Sequence, residues 1–145
     1  MNVQLRVNRD PQLITDNVKV IAVPIYELDI IVHIESDFNV ANDLYGLNLK
    51  EDYTEGEDIN RPYAWSVNAC DKSKPSRGTI YLLLKPEHLD YNTILHELMH
   101  IIMMICTERG IEPDPANDEP ITYLQGWVGE HILNFTDEYK KKNLV

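Results

Sequence analysis

The run from Ile94 to Cys106 constrains this chain more than any other stretch. Ile94, Leu98, Ile101, Ile102, Ile105 and Cys106 recur at the spacing of a helix face packed on a core. At about 100° per residue, His100, Met103 and Thr107 fall within roughly 40° of His96, on the side away from those apolar residues. Asp90 or Asn92 is a suitable N-cap, and Gly110, just past Arg109, is a suitable stop. The apolar coverage predicts a buried helix carrying one polar strip. Within it, His96-Glu97-Leu98-Met99-His100 sets two imidazoles four residues apart on one face. Burying these groups is costly unless they are paired. Two imidazoles so spaced can share one Zn²⁺, and Glu97 can reach a metal-bound water as general base. The plainer alternative is two core histidines and an exposed glutamate.

The chain before this helix reads mainly as strands. Residues 3–7 alternate weakly, and Pro11 ends them. Val18 to Val23 and Leu28 to Ile34 are β-branched and apolar, separated by Pro24. His33, alone in the second run, reads as a half-buried structural residue. Asp37 caps a short helix ending near Gly46, with Phe38, Ala41, Leu44 and Tyr45 on one side. Glu51 to Asp58 is acidic and interrupted by Gly56. It lacks the alternating ligands of a calcium loop and reads as a solvated surface loop. Tyr63 to Ala69 and Thr79 to Leu84 form an expected hairpin around Lys72–Gly78, and Pro86 stops the second strand. The pattern is α+β, with helices packed on one sheet, in a single domain spanning residues 1–145.

A catalytic zinc needs a third protein ligand and an open fourth position. The elongated metzincin pattern asks for Gly at 103 and His at 106, but Met103 and Cys106 stand there. A glutamate further on is the next option. A second helix is expected from about Asp118, with Pro120 in its first turn, to Phe135 and on towards Lys142. Ile121, Leu124, Val128, Ile132 and Phe135 share one face. Glu119, Tyr123, Gly126 and Glu130 share the other, with Trp127 at its edge. Antiparallel packing would bring Glu119 and Tyr123 to the histidines, and Gly126 would permit close approach. Asp118, Glu130 and His131 are the substitute ligands. A first-turn acid that complements the helix dipole is the competing account of Glu119.

With His96-Glu97-x-x-His100 followed by a helix bearing Glu119, the last fifty-odd residues resemble a gluzincin-type zincin. The stretch from Asp118 to Trp127 is similar to segments of small zincin-like proteins encoded by phages and prophages. The resemblance implies a minimal zincin-like fold: a twisted β-sheet, then an active-site helix and a downstream glutamate helix. It implies Zn²⁺ held by His96, His100 and Glu119, with Glu97 as general base. It also implies an edge strand that takes an extended peptide, and Thr79 to Leu84 is in sequence position for that role. Many gluzincins carry a bracing acid four residues after the glutamate ligand. Here Tyr123 holds that position and is the expected oxyanion donor, with Tyr81, Tyr91 and His131 behind it.

The function expected on this basis is a zinc-dependent metallopeptidase acting on a peptide or protein substrate. The alternative is a non-catalytic zincin-like phage or prophage module that binds a host or phage protein. A repressor- or toxin-cleaving peptidase is a third and weaker reading. Charge narrows the partners: 13 Lys plus Arg against 24 Asp plus Glu give a formal net charge of −11. Such a surface disfavours nucleic acid and anionic membrane. The basic run Lys140–Lys142 follows Asp137 and Glu138 at helical spacing and reads as a solvated helix end. No stretch has the length and apolarity of a membrane span, and no signal peptide is expected behind Met1–Arg6. Cys70 and Cys106 alone make no disulfide framework, so a reducing, cytoplasmic location is expected.

Overall fold

The computed structural model describes residues 12–52, 58–70 and 78–143. The strand expected at 3–7 and most of the turn at 72–78 lie outside these residues, as does the middle of the acidic loop, 53–57. The architecture is α+β, with a five-stranded mixed sheet and three α-helices. In chain order the elements are β1 (Gln12–Thr15), β2 (Val18–Val23), β3 (Leu28–Ile34), α1 (Phe38–Tyr45), β4 (Ala64–Asn68), β5 (Gly78–Leu84), α2 (Tyr91–Arg109) and α3 (Glu119–Asn143). The short strand β1 had no sequence signal beyond its β-branched pair.

The strand order is β1-β2-β3-β5-β4. Only β3 and β5 run parallel; the other neighbours are antiparallel. The hairpin expected between 63–69 and 79–84 forms as β4 and β5, with Ser66 opposite Leu82. Its placement corrects one expectation: β5 pairs on both sides, so Thr79 to Leu84 has no free edge. Among the described residues, β4 is the edge strand at that end.

Every residue of β3 is buried because both sheet faces are covered. Leu28, Ile30, Val32 and Ile34 pack with Ile80, Leu82 and Leu84 under α2 and α3. Ile31 and Leu83 pack with Phe38, Ala41, Leu49 and Ile59 on the opposite side. The short helix therefore covers the face that the two long helices leave open. Asp37 caps it, accepting from Asn39 N–H at 3.0 Å, and Gly46 ends it with φ +63°.

Of the two glycines of α3, Gly126 and Gly129, it is Gly129 that packs against α2. A Cβ there would stand 3.0 Å from Leu98 Cδ2, whereas at Gly126 it would meet nothing within 4 Å. The groove between the helices joins Tyr91 and Leu95 to Leu133, Asn134 and Asp137, which fixes the antiparallel sense. No helix among the described residues is long and apolar enough to cross a membrane.

Candidate metal centre

Helix α2 begins where its sequence signals put it. Asp90 accepts a hydrogen bond from Thr93 N–H at 2.8 Å, and Gly110 closes the helix with φ +66°. Ile94, Leu98, Ile101, Ile102, Ile105 and Cys106 are buried, as the spacing requires. The opposite face is not. His96, His100, Met103 and Thr107 are exposed, and so are Tyr91, Leu95 and Met99. The expectation that the polar strip is buried is thereby corrected: the sheet and α3 cover two sides of α2, and its third side faces solvent. Any case for a metal here must rest on geometry, not on the cost of burying histidines.

That geometry is specific. His96 Nε2 and His100 Nε2 stand 3.2 Å apart, and the ring planes meet at 71°. Two zinc–imidazole bonds at the tetrahedral angle hold their nitrogens about 3.3 Å apart. Without metal, one protonated and one bare Nε2 make the same contact a hydrogen bond. The separation of the pair thus matches what a shared zinc would require and equally what a hydrogen bond between the rings gives.

Glu97 turns from solvent towards the sheet and is half-buried. Its Oε2 accepts a hydrogen bond from Ser66 Oγ at 2.5 Å. Ser66 lies on β4, on the strand face it shares with Ala64 and Asn68, and Asn68 Nδ2 donates to Glu108 Oε1 at 2.8 Å. Two polar contacts thus tie α2 to the edge strand. Sequence reading missed Ser66. The available signal was a hydroxyl at an inward position of a strand whose partner, Leu82, is fully buried.

The remaining expected site residues lie elsewhere. Leu98 is level with Gly129, so Glu119 stands ten residues, about 15 Å of helix, further towards the Arg109 end. There Glu119 and Tyr123 line a cavity with Val23, Pro24, Tyr26 and Trp127. The acid of α3 nearest the level of the motif is Glu130, which lines the α2–α3 groove beside Leu95 and Leu98. Asp118 is exposed before the helix. His131 packs edge-on against Trp127, with centroids 4.3 Å apart. Burial and then Lys19 push its pKa down, against a smaller opposing pull from Glu130. Tyr81 is buried on the far face of the sheet beside Tyr45, and Tyr91 is exposed at the start of α2. Among the described residues, no three or more His, Cys, Asp or Glu side chains are grouped to hold a metal ion. His96 and His100 are thus brought together, with Glu97 between them in the helix; Glu119 and Tyr123 do not join them.

Compared with known proteins, the chain matches no family model, no curated protein and no solved structure.

Proposed function

We propose that the chain is a zinc-dependent metallopeptidase of minimal zincin-like form, with His96 and His100 as metal ligands and Glu97 as general base. The observation that carries this reading is the 3.2 Å convergence of the two Nε2 atoms on the helix that bears Glu97. When bound, zinc would supply an activated water and polarise the scissile carbonyl. Glu97 then holds the water proton and passes it to the leaving amine. The hydroxyl of Ser66 fixes one oxygen of that carboxylate and leaves the other free for the proton. An extended peptide adds to the outer edge of β4, the strand that already touches Glu97. Besides the two histidines, a bound zinc would need a third protein ligand and a place for water. Glu130 is the acid of α3 closest in level to the motif, while Glu119 would have to cross from its own cavity.

Two measurements test this. Elemental analysis of protein purified with zinc should give one ion per chain, lost when His96 and His100 are both changed to Ala. A peptide library should be cleaved by the native chain and not by Glu97→Gln, with zinc retained in that variant. Zinc content unaffected by the double substitution would refute the metal site. Cleavage that survives Glu97→Gln would refute the mechanism.

One observation favours a second reading. Tyr91, Leu95 and Met99 continue along α2 to Met103 as an exposed apolar row beside the histidines. Such a row suits protein contact. A non-catalytic module binding a host or phage protein would use it, and stable complex formation without cleavage would decide for that reading.

A further inference from the structure

The second site for which the structure gives physical grounds is the cavity that holds Glu119 and Tyr123. It measures about 610 Å³ and lies between the turn joining β2 to β3 and the first turns of α3. That volume is in the range of small-molecule sites. Its walls are aromatic and aliphatic: Tyr26, Tyr123 and Trp127, with Pro24, Leu124 and Pro120. Its lining among the described residues has one carboxylate, Glu119, and no Lys or Arg.

The turn at its mouth is unusual. Tyr26 N–H donates to the Pro24 carbonyl at 2.8 Å, closing a three-residue turn around Ile25, whose φ is +71°. A γ-turn with positive φ is strained, and a β-branched residue is the least suited to it. Ile25 is nonetheless 84% exposed, so the strain is not repaid by burying its side chain. Arg109, the last residue of α2, holds the turn by donating from Nε to the Tyr26 carbonyl and from Nη2 to the Glu27 carbonyl, at 2.5 and 3.1 Å. A long-range clamp thus keeps an exposed isoleucine in a costly conformation beside an apolar cavity. Strain held in this way is characteristic of ligand clamps.

We propose that this cavity binds a small amphiphilic amine, with its ammonium at Glu119 and its apolar body against Tyr123, Trp127 and Leu124 under Ile25. Aromatic faces attract ammonium groups, and a carboxylate at the rim adds a charge-assisted hydrogen bond. The formal charge of −11 draws cations to the molecule as a whole. The site is separate from the histidine pair, so it stands whether or not the chain is a peptidase.

The test is calorimetric titration of the full chain with three probes of one shape: 4-phenylbutylamine, 4-phenylbutanol and 4-phenylbutyrate. The amine should bind about tenfold more tightly than the alcohol. Glu119→Gln should remove that preference and leave alcohol binding unchanged, and Ile25→Gly should weaken both. Equal binding of all three, no binding, or tightest binding of the anion would overturn the proposal. In the last case the helix N-terminus, not Glu119, would govern the site. A capped tripeptide with a central lysine provides a second arm. Weaker binding than the free amine supports a small-molecule ligand, and tighter binding overturns that assignment. Zinc content is measured alongside, so failure here is distinguishable from failure of the metal site.

Discussion

Two regions of the molecule set histidine near glutamate, and they use it in opposite ways. On α2, His96 and His100 face solvent with their Nε2 atoms 3.2 Å apart, while Glu97 leans towards the edge strand. On β3, His33 is buried: its Nδ1 is 2.9 Å from the Tyr45 hydroxyl, and its Nε2 is 3.6 Å from Glu35. Asn17 Nδ2 also stands 3.4 Å from that Nε2, so both ring nitrogens of the inner histidine have partners. The outer pair has its Nε2 atoms side by side on an exposed helix face. Access to solvent is what the proposed metal site requires of the outer pair, while burial with satisfied partners marks the inner histidine as structural.

The sharpest way to break this contrast is Glu97→Gln. If the outer region is catalytic, peptide cleavage should fall by about 10²–10⁴-fold, read as kcat/KM, with zinc content unchanged. The equivalent change on the inner side, Glu35→Gln, should leave kcat/KM where it was. A loss of activity in both would mean that the two regions are not functionally distinct.

Ser66→Ala tests how far the outer region depends on support from the sheet. Removing the hydroxyl frees the Glu97 carboxylate to rotate. Loss of such an outer contact costs about tenfold to a hundredfold in activity. Thermal stability should change little, because Ser66 is only half-buried. A large fall in melting temperature with kcat/KM intact would make Ser66 a packing residue.

The sequence made one of these regions far more legible than the other residues proposed to serve it. The limits of α2 and its buried face were readable because Asp90, Gly110 and the apolar spacing all point to one helix. His33 was readable as structural, although the structure buries it fully rather than by half. The outward exposure of the motif was not readable, since a wheel gives the faces of a helix but not what covers them. Glu119 was placed by the same reasoning and fails to meet the histidines for a related reason. The wheel fixes rotation, whereas the offset between helices is set by the Leu98–Gly129 contact. The edge strand was missed because β3 pairs with β5 across α1 and β4, a parallel pairing that no hairpin pattern announces.

On the inner side, Tyr45→Phe is the matching probe. It leaves His33 Nδ1 without its partner and should cost about 1–3 kcal/mol of unfolding free energy, measured by urea denaturation. The zinc content of the outer pair should not change. The Tyr45 hydroxyl is itself held well above its ordinary pKa, by burial first and then by Tyr81, so it stays protonated across the usual range.

The smallest effect is a pH dependence led by the inner histidine. Burial lowers the pKa of His33 below its ordinary 6.5, outweighing the opposite pull of Glu35. Well above pH 6.5 both the folded and unfolded chains hold this ring neutral, and it adds no slope. Below it the unfolded chain takes up the proton first, so stability falls until the folded pKa is passed. His131 shifts in the same direction, but it is only half-buried and its share is smaller. The caps Asp37 and Asp90, whose hydrogen bonds lower them from 3.8, lose their contribution only in the more acidic window below that value. Urea midpoints taken from pH 7.5 to 5 should therefore decline, and His33→Gln should flatten most of that decline. If the slope persists undiminished in His33→Gln, the inner histidine does not carry the linkage, and the contrast between the two regions fails.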